Sequence, residues 1–253
     1  MPSREQLHKY QARMIDFIYT TPKCALWAGL GLGKTITTLT AIVDLIDSMT
    51  VSKVLIVAPL RVANSVWHKE ASNWQHTKHL KFSIVTGSEK ERLAALHKTA
   101  DVYVINRENV TWIVEHYAKK WPFDMIVLDE ASSFKSSSSQ RFKSLRKTIP
   151  FTNRLVELTG TPSPNGLLDI WSQMYLLDCG ERLGRSMTAY KQRFFETDYS
   201  GYKFKPVKSA DKIIHKLIDD IVISLNVDDY LEMPDRIDTV IRVSLPPSRM
   251  VEY

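Results

Sequence analysis

Ala28-Gly29-Leu30-Gly31-Leu32-Gly33-Lys34-Thr35, AGLGLGKT, is the stretch on which the reading of this chain turns. It lies between the apolar run Cys24 to Ala28 and a second run that begins at Ile36, a pattern that predicts a strand closing in a loop and a helix opening from it. Gly29, Gly31 and Gly33 allow turns that a Cβ would forbid, so successive N–H groups can point inward at an anion. The helix adds its positive end and Lys34 a full charge, while Thr35 offers a hydroxyl where Mg²⁺ would bridge two phosphates. The strict pattern G-x-x-x-x-G-K-[ST] is not met, because Ala28 stands at its first glycine. A-x-x-G-x-G-K-T fits without a mismatch. The plainer alternative is a Gly-rich turn between ordinary elements.

Upstream, Leu7, Tyr10, Met14 and Phe17 recur at three- and four-residue steps and predict an amphipathic helix over residues 6–18. Gln11 falls just beside that stripe. Its amide can donate and accept at once, as reading the N6/N7 edge of adenine requires. Alone it would pass for a solvated surface residue; its place shortly before the loop favours the functional reading.

Downstream the chain alternates strands and helices. Helix is predicted to about Ser48, then a buried strand at 53–58 and a helical stretch at 60–74 carrying Arg61, Trp67 and Trp74, the tryptophans read as core rather than nucleotide platforms. Strands follow at 82–85 and 102–106, with helices near 89–98 and 108–118. The strand at 123–128 delivers Asp129 and Glu130 at its carboxyl end, where ligands bind in open α/β sheets. Such a pair can hold Mg²⁺ and orient an attacking water, Asp129 in the first role and Glu130 in the second. The structural alternative is an acidic pair favoured at a helix amino terminus.

Beyond a Ser136–Ser139 run that suits a flexible turn, a short helix is predicted at 141–147 and a strand at 154–158 that ends in Thr159-Gly160-Thr161-Pro162. A helix at 167–177, an aromatic-rich protrusion with a hairpin at 178–208, and a strand at 236–245 complete the reading.

Composition sets limits. The 253 residues, 44% apolar, can build a sizeable core. No run approaches the roughly 18 apolar residues of a membrane span, and the amino terminus lacks a signal peptide's apolar core. A cytoplasmic location with no membrane partner is expected. Cys24 and Cys179, far apart, and seven scattered histidines lead us to expect free thiols and no zinc. A net charge of +6 is compatible with a polyanionic partner. Six basic residues and no acid lie between Lys135 and Arg154, which also fits a solvated helix face, whereas Asp211 to Asp238 is acidic.

Taken together these segments resemble the amino-terminal ATPase lobe of Swi/Snf-like DNA translocases, within helicase superfamily two, over nearly the whole chain. LHKYQ (7–11) resembles the family's adenine-reading L-x-x-Y-Q, which adds Tyr10 to Gln11, and GLGKT resembles its phosphate loop. VAPLRVANSVWHKEASNW (57–74) is similar to a segment with V-x-P followed by W-x-x-E, and VYVINREN to a DNA-facing strand end. FDMIVLDEASSFKSSSSQRFKSL resembles the D-E-A-H segment, and LTGTPSPN the LTGTP motif. Ser132 replaces the usual histidine, and Asn106 stands where threonine is commoner.

The resemblance implies an α/β, RecA-like fold with a mostly parallel sheet covered on both faces. It divides the chain into a first lobe at 1–177, a protrusion at 178–208, a return to the lobe at 209–245 and the start of a linker at 246–253 toward a second lobe. It implies ATP and Mg²⁺ as cofactors, bound by Tyr10, Gln11, Gly29, Gly31, Gly33, Lys34 and Thr35, with Lys34, Asp129 and Glu130 catalytic and Thr35 and Asp129 on the metal. Arg61, Arg107, Lys135, Thr159 and Thr161 would contact double-stranded DNA or relay its presence. The implied partners are double-stranded DNA and a second RecA-like lobe in cis or trans, in the style of small phage and bacterial members. A strand-separating helicase, a restriction-type motor lobe and a nucleotide-gated interaction module remain open.

Overall fold

Parallel strands covered on both faces have no solvent side, so their sequences should be apolar throughout. KCALWA, VLIVA, VYVIN and MIVLD meet that condition apart from Lys23, Asn106 and Asp129 at their ends, and the structure, a computed structural model describing residues 1–164, 166–197, 204–226 and 229–230, makes each a sheet strand. In chain order the strands are β1 (Lys23–Ala28), β2 (Val54–Ala58), β3 (Phe82–Val85), β4 (Val102–Asn106), β5 (Met125–Asp129), β6 (Arg154–Thr159), β7 (Phe195–Thr197), β8 (Phe204–Pro206) and β9 (Val222–Leu225). Seven form one sheet in the order β3-β4-β2-β5-β6-β1-β9, with every neighbouring pair parallel. The antiparallel pair β7–β8 is separate and is the hairpin predicted in the protrusion.

Helices cover the sheet in two layers. One face carries α1 (Lys9–Thr20), α2 (Lys34–Asp47), α3 (Leu60–Ser65) and α4 (Trp67–Asn73), packed on Leu26, Ile56, Val104 and Val127. The other carries α5 (Glu89–Leu96), α6 (Val110–Tyr117), α7 (Gln140–Arg146), α8 (Leu168–Asp178), α9 (Met187–Phe194) and α10 (Ala210–Ile218), packed on Ala25, Trp27, Leu55 and Leu128.

Three elements depart from the sequence reading. The first helix begins at Lys9 rather than Gln6, after a 3₁₀ turn at Arg4–Gln6, because His8 is extended and its N–H donates to Gln11 Oε1 at 2.8 Å. The stretch 60–74 is two helices, broken at Val66 just before Trp67 turns into the core. The chain also forms α10 and then β9, which pairs along the open side of β1. β9 is an edge strand whose burial alternates, with Ile223 and Leu225 inward and Ser224 exposed, so it lacks the continuous apolar run of the inner strands. The strand predicted at 236–245 and the linker at 246–253 lie outside the described residues.

The base of the fold is tied by Arg154, whose Nη2 donates to the Ile18 and Tyr19 carbonyls at 2.7 and 2.5 Å and so caps the end of α1. Local strain appears at Ala118, which ends α6 at φ 45° and ψ −118°, a conformation suited to glycine. Such a backbone costs about 1–3 kcal/mol, against about 0.5–1 kcal/mol for the extra freedom glycine brings to the unfolded chain. Ala118→Gly should therefore stabilise the protein by about 1 kcal/mol, read as a raised urea midpoint at unchanged slope. A lowered midpoint would show that Ala118 is unstrained.

Candidate active site

The phosphate loop runs from the buried end of β1 into α2. Gly31 and Gly33 take φ of 86° and 71°, the left-handed region in which a side chain is strained. Gly33 has a second reason to lack a side chain: a Cβ there would stand 2.2 Å from Gln11 Nε2. Because Gln11 Oε1 is held by the His8 N–H, the amide is fixed with its donor toward the loop. Gln11, buried on α1, is thereby placed beside the loop as the sequence reading requires, and Tyr10 next to it stacks on His8 and meets Tyr230.

Lys34 Nζ lies in the loop and donates to the Ala28 and Gly29 carbonyls at 2.6 and 3.0 Å. Burial lowers its pKa, while Glu130 and Asp129 pull in the opposite direction. Both acids share one cleft of about 380 Å³ with Lys34, Thr35, Gly31 and Gly33, lined also by Val62, Val66 and Glu70. Asp129 ends β5 and Glu130 follows in the left-handed region, φ 59° and ψ 59°, before a 3₁₀ turn at Ala131–Phe134. Strain of this kind is usual where a side chain must be aimed at a ligand.

Burial raises the Asp129 pKa and the Glu130 charge adds to it; the Trp67 N–H, donating to Asp129 Oδ2 at 3.0 Å, and Lys34 oppose the rise. Trp67 is thus both core, as its complete burial shows, and a positioning residue for Asp129, a role the sequence reading missed. The W-x-x-E pattern was its signal, and Glu70 of the same pattern accepts from Trp74 Nε1 at 3.0 Å and lines the cleft. Trp67→Phe should raise the Asp129 pKa further and weaken Mg²⁺-nucleotide binding by about tenfold, more at pH 6 than at pH 8. A fluorescent-nucleotide titration at both pH values checks this; equal affinities for the two proteins at both would leave Trp67 no such role.

The Thr159–Pro162 turn abuts the loop. A Cβ on Gly160 would lie 3.5 Å from the Ala28 carbonyl, and buried Thr159 Oγ1 accepts from the Thr161 N–H at 3.1 Å. The remaining predicted residues do not join the cleft. Arg61 is exposed at the start of α3, and Thr161 is exposed beyond β6. Arg107 pairs with Glu108 at 3.1 Å and Lys135 with Asp169 at 3.7 Å. Asn106 turns inward, donating to Glu108 at 2.9 Å and accepting from Asn109 at 2.6 Å.

A glycine cradle at a helix amino terminus, a lysine within it and a paired acid at the end of β5, separated from β1 by β6, form the constellation of a P-loop nucleotide site. The SNF2-related domain family matches residues 10–252. The chain belongs to that family. This SNF2-related chain is 37% identical over 255 residues to protein p41 of Acyrthosiphon pisum secondary endosymbiont phage 1, covering 96% of itself and 55% of p41. It is 29% identical over 197 residues to the mouse DNA excision repair protein ERCC-6-like, covering 73% of itself and 16% of that protein. Its fold matches the Sulfolobus solfataricus SWI2/SNF2 ATPase core in complex with dsDNA, with a TM-score of 0.71 at 23% identity, over 88% of this chain and 45% of the other. The SNF2 chain therefore spans about half the length of p41 and of that core. It is an SNF2-related domain with a RecA-like, mostly parallel sheet. Both cysteines are free thiols.

Proposed function

We propose that this SNF2 domain is the ATP-binding first lobe of a DNA-dependent ATPase that translocates on double-stranded DNA and hydrolyses ATP to ADP and phosphate when a second RecA-like lobe joins it. The observation that carries the reading is the convergence of Lys34, Thr35, Asp129 and Glu130 in one cleft, with Gln11 seated against Gly33. Gln11 and Tyr10 hold the adenine, and the loop N–H groups with Lys34 hold the phosphates. Lys34 then exchanges the Ala28 and Gly29 carbonyls for phosphate oxygens.

The donor set fits Mg²⁺: a carboxylate at Asp129 and a hydroxyl at Thr35 in the same cleft. Asp129 and Thr35 would hold the ion, which would supply charge neutralisation to the phosphates. Glu130 accepts the proton of the attacking water and orients it. Arg61, Arg107, Lys135 and Thr161, all on loops or helix starts past strand ends, would contact duplex phosphates. The solved relative carrying dsDNA supports that partner, and coverage of about half of that chain supports a second lobe.

The test is steady-state ATP hydrolysis by the 253-residue chain with and without duplex DNA, alongside fluorescent-nucleotide binding. Nucleotide should bind while turnover stays near background, since arginine stabilisation from elsewhere is worth about 10³–10⁵ in rate in related reactions. Duplex affinity should fall steeply with salt, with a log–log slope of about −0.9 for each phosphate contacted. Salt-insensitive binding would overturn the DNA contact, and strong duplex stimulation of the chain alone would overturn the need for a second lobe.

A further inference from the structure

A purine offers a hydrogen-bonding edge and two flat π faces, so a site that reads the edge gains much of its grip from an aromatic ring laid against a face. Gln11 serves the edge, its Oε1 held by the His8 N–H at 2.8 Å and its Nε2 lying against Gly33. Tyr10, the aromatic next to it, is largely used up, because it is buried between two other rings. His8 stacks flat on it at 5.3 Å, with 8° between the planes, and so spends one of its own faces. Tyr230 meets Tyr10 at 5.0 Å with the planes tilted by 47°, an arrangement that does not lay either ring's face on the other, and it is 40% exposed. Tyr230 is therefore the ring at this end of the site with a face to give.

The backbone brings it there from the phosphate-loop side. β9 runs parallel to β1 with Leu225 opposite Ala28, and the Leu225 carbonyl accepts from the Gly29 N–H at 3.3 Å, so the end of β9 is tied to the first glycine of the loop. Tyr230 follows a few residues on, past the carboxyl end of β9, and ligands of open parallel sheets sit outside that end. We propose that Tyr230 is a base-binding residue, which lays its ring on a face of the adenine whose edge Gln11 reads and whose phosphates the loop holds. The proposal deepens the nucleotide reading of this site and rests on it. Stacking tolerates any base, since every base has a π face, whereas an amide is selective; the ring supplies grip and Gln11 the choice of adenine. β9 thereby does more than close the edge of the sheet: it carries the face-binding side of the site. In the sequence Tyr230 sits within the acidic stretch between Asp211 and Asp238, where no motif singles it out.

The experiment is heteronuclear NMR of the full chain, titrated with ADP and separately with pyrophosphate, both with Mg²⁺, and read at the Gly33 and Lys34 amides. Pyrophosphate has phosphates and no base, so it reports the loop alone. Tyr230→Ala should weaken ADP about tenfold, the scale of one lost base–aromatic stack, and leave pyrophosphate within about twofold of wild type. Tyr230→Phe, which keeps the ring face, should retain most of the ADP affinity. In the wild type, Overhauser contacts should join the Tyr230 ring protons to adenine H2 or H8. Because Tyr230 is exposed, the variants should fold, and thermal denaturation checks that they do. ADP affinity unchanged in Tyr230→Ala overturns the proposal, and so does a gain, which would make the ring a plug over the base seat. Equal losses for ADP and pyrophosphate overturn it too, because the ring would then act through the loop. A loss of ADP affinity in His8→Ala with none in Tyr230→Ala gives the stacking role to His8 instead. Failure of the nucleotide reading looks different: the wild type would then shift with neither ligand, and the proposal would fall with it.

Discussion

Glu130→Gln should lower DNA-stimulated ATP turnover of the complete motor by about 10²–10⁴, the range supplied by a positioned general base, with nucleotide affinity within a few-fold of wild type. The separation of the two effects follows from geometry. Glu130 lines the cleft from the turn after β5, while the groups that would grip nucleotide are Gln11, the loop N–H groups and Lys34. Glutamine is nearly isosteric and keeps the left-handed seat that aims the side chain, so the 3₁₀ turn from Ala131 is undisturbed. What disappears is the capacity to take a proton. Pre-steady-state phosphate release on duplex DNA is the direct measurement. Turnover retained to within tenfold would move the base role elsewhere and reduce Glu130 to charge balance for Lys34.

The second large effect concerns stability. In the folded chain the pKa of Glu157 stands well above its ordinary value of 4.5, because burial penalises the carboxylate. The folded state therefore binds a proton that the unfolded state has released, and stability must fall as pH rises through that window. One group held this way contributes a slope of about −1.4 kcal/mol per pH unit between its unfolded and folded pKa values, and none below the unfolded one. Glu157→Leu removes both the slope and the buried acid. The variant should be about as stable as wild type near pH 4 and more stable by several kcal/mol near pH 8, the scale of an unrelieved buried ion. Urea unfolding at a series of pH values decides this. A stability difference that does not change with pH would mean that Glu157 does not titrate in this window.

Much of this was open to sequence reading because the signals are local. The loop is eight consecutive residues, the inner strands β1, β2, β4 and β5 are apolar in their middles, and Asp129-Glu130 comes directly after the apolar run of β5. The gaps have physical causes. The Trp67–Asp129 bond joins residues 62 apart in sequence, and no periodicity carries information over that distance. The break at Val66 is invisible because helical spacing continues through it. β9 is short and alternates, so it resembles a surface segment until β1 is seen to need a neighbour. Glu157 is different: the acid stands in plain view within RLVELT, but only the folded sheet shows that it is fully buried and that neither carboxyl oxygen finds a partner among the described residues.

The position of β1 also governs how the chain reaches its native state. β1 lies between β6 and β9, strands that follow it by about 130 and about 200 residues, while β2 to β5 pair among themselves over much shorter separations. Loop-closure entropy makes such distant pairings slow. During synthesis the β2–β5 half can assemble first, leaving β1 without partners until β6 and then β9 have emerged. The phosphate loop hangs from the end of that strand, so nucleotide affinity would be the last property a nascent chain acquires and an early one to go when β9 detaches.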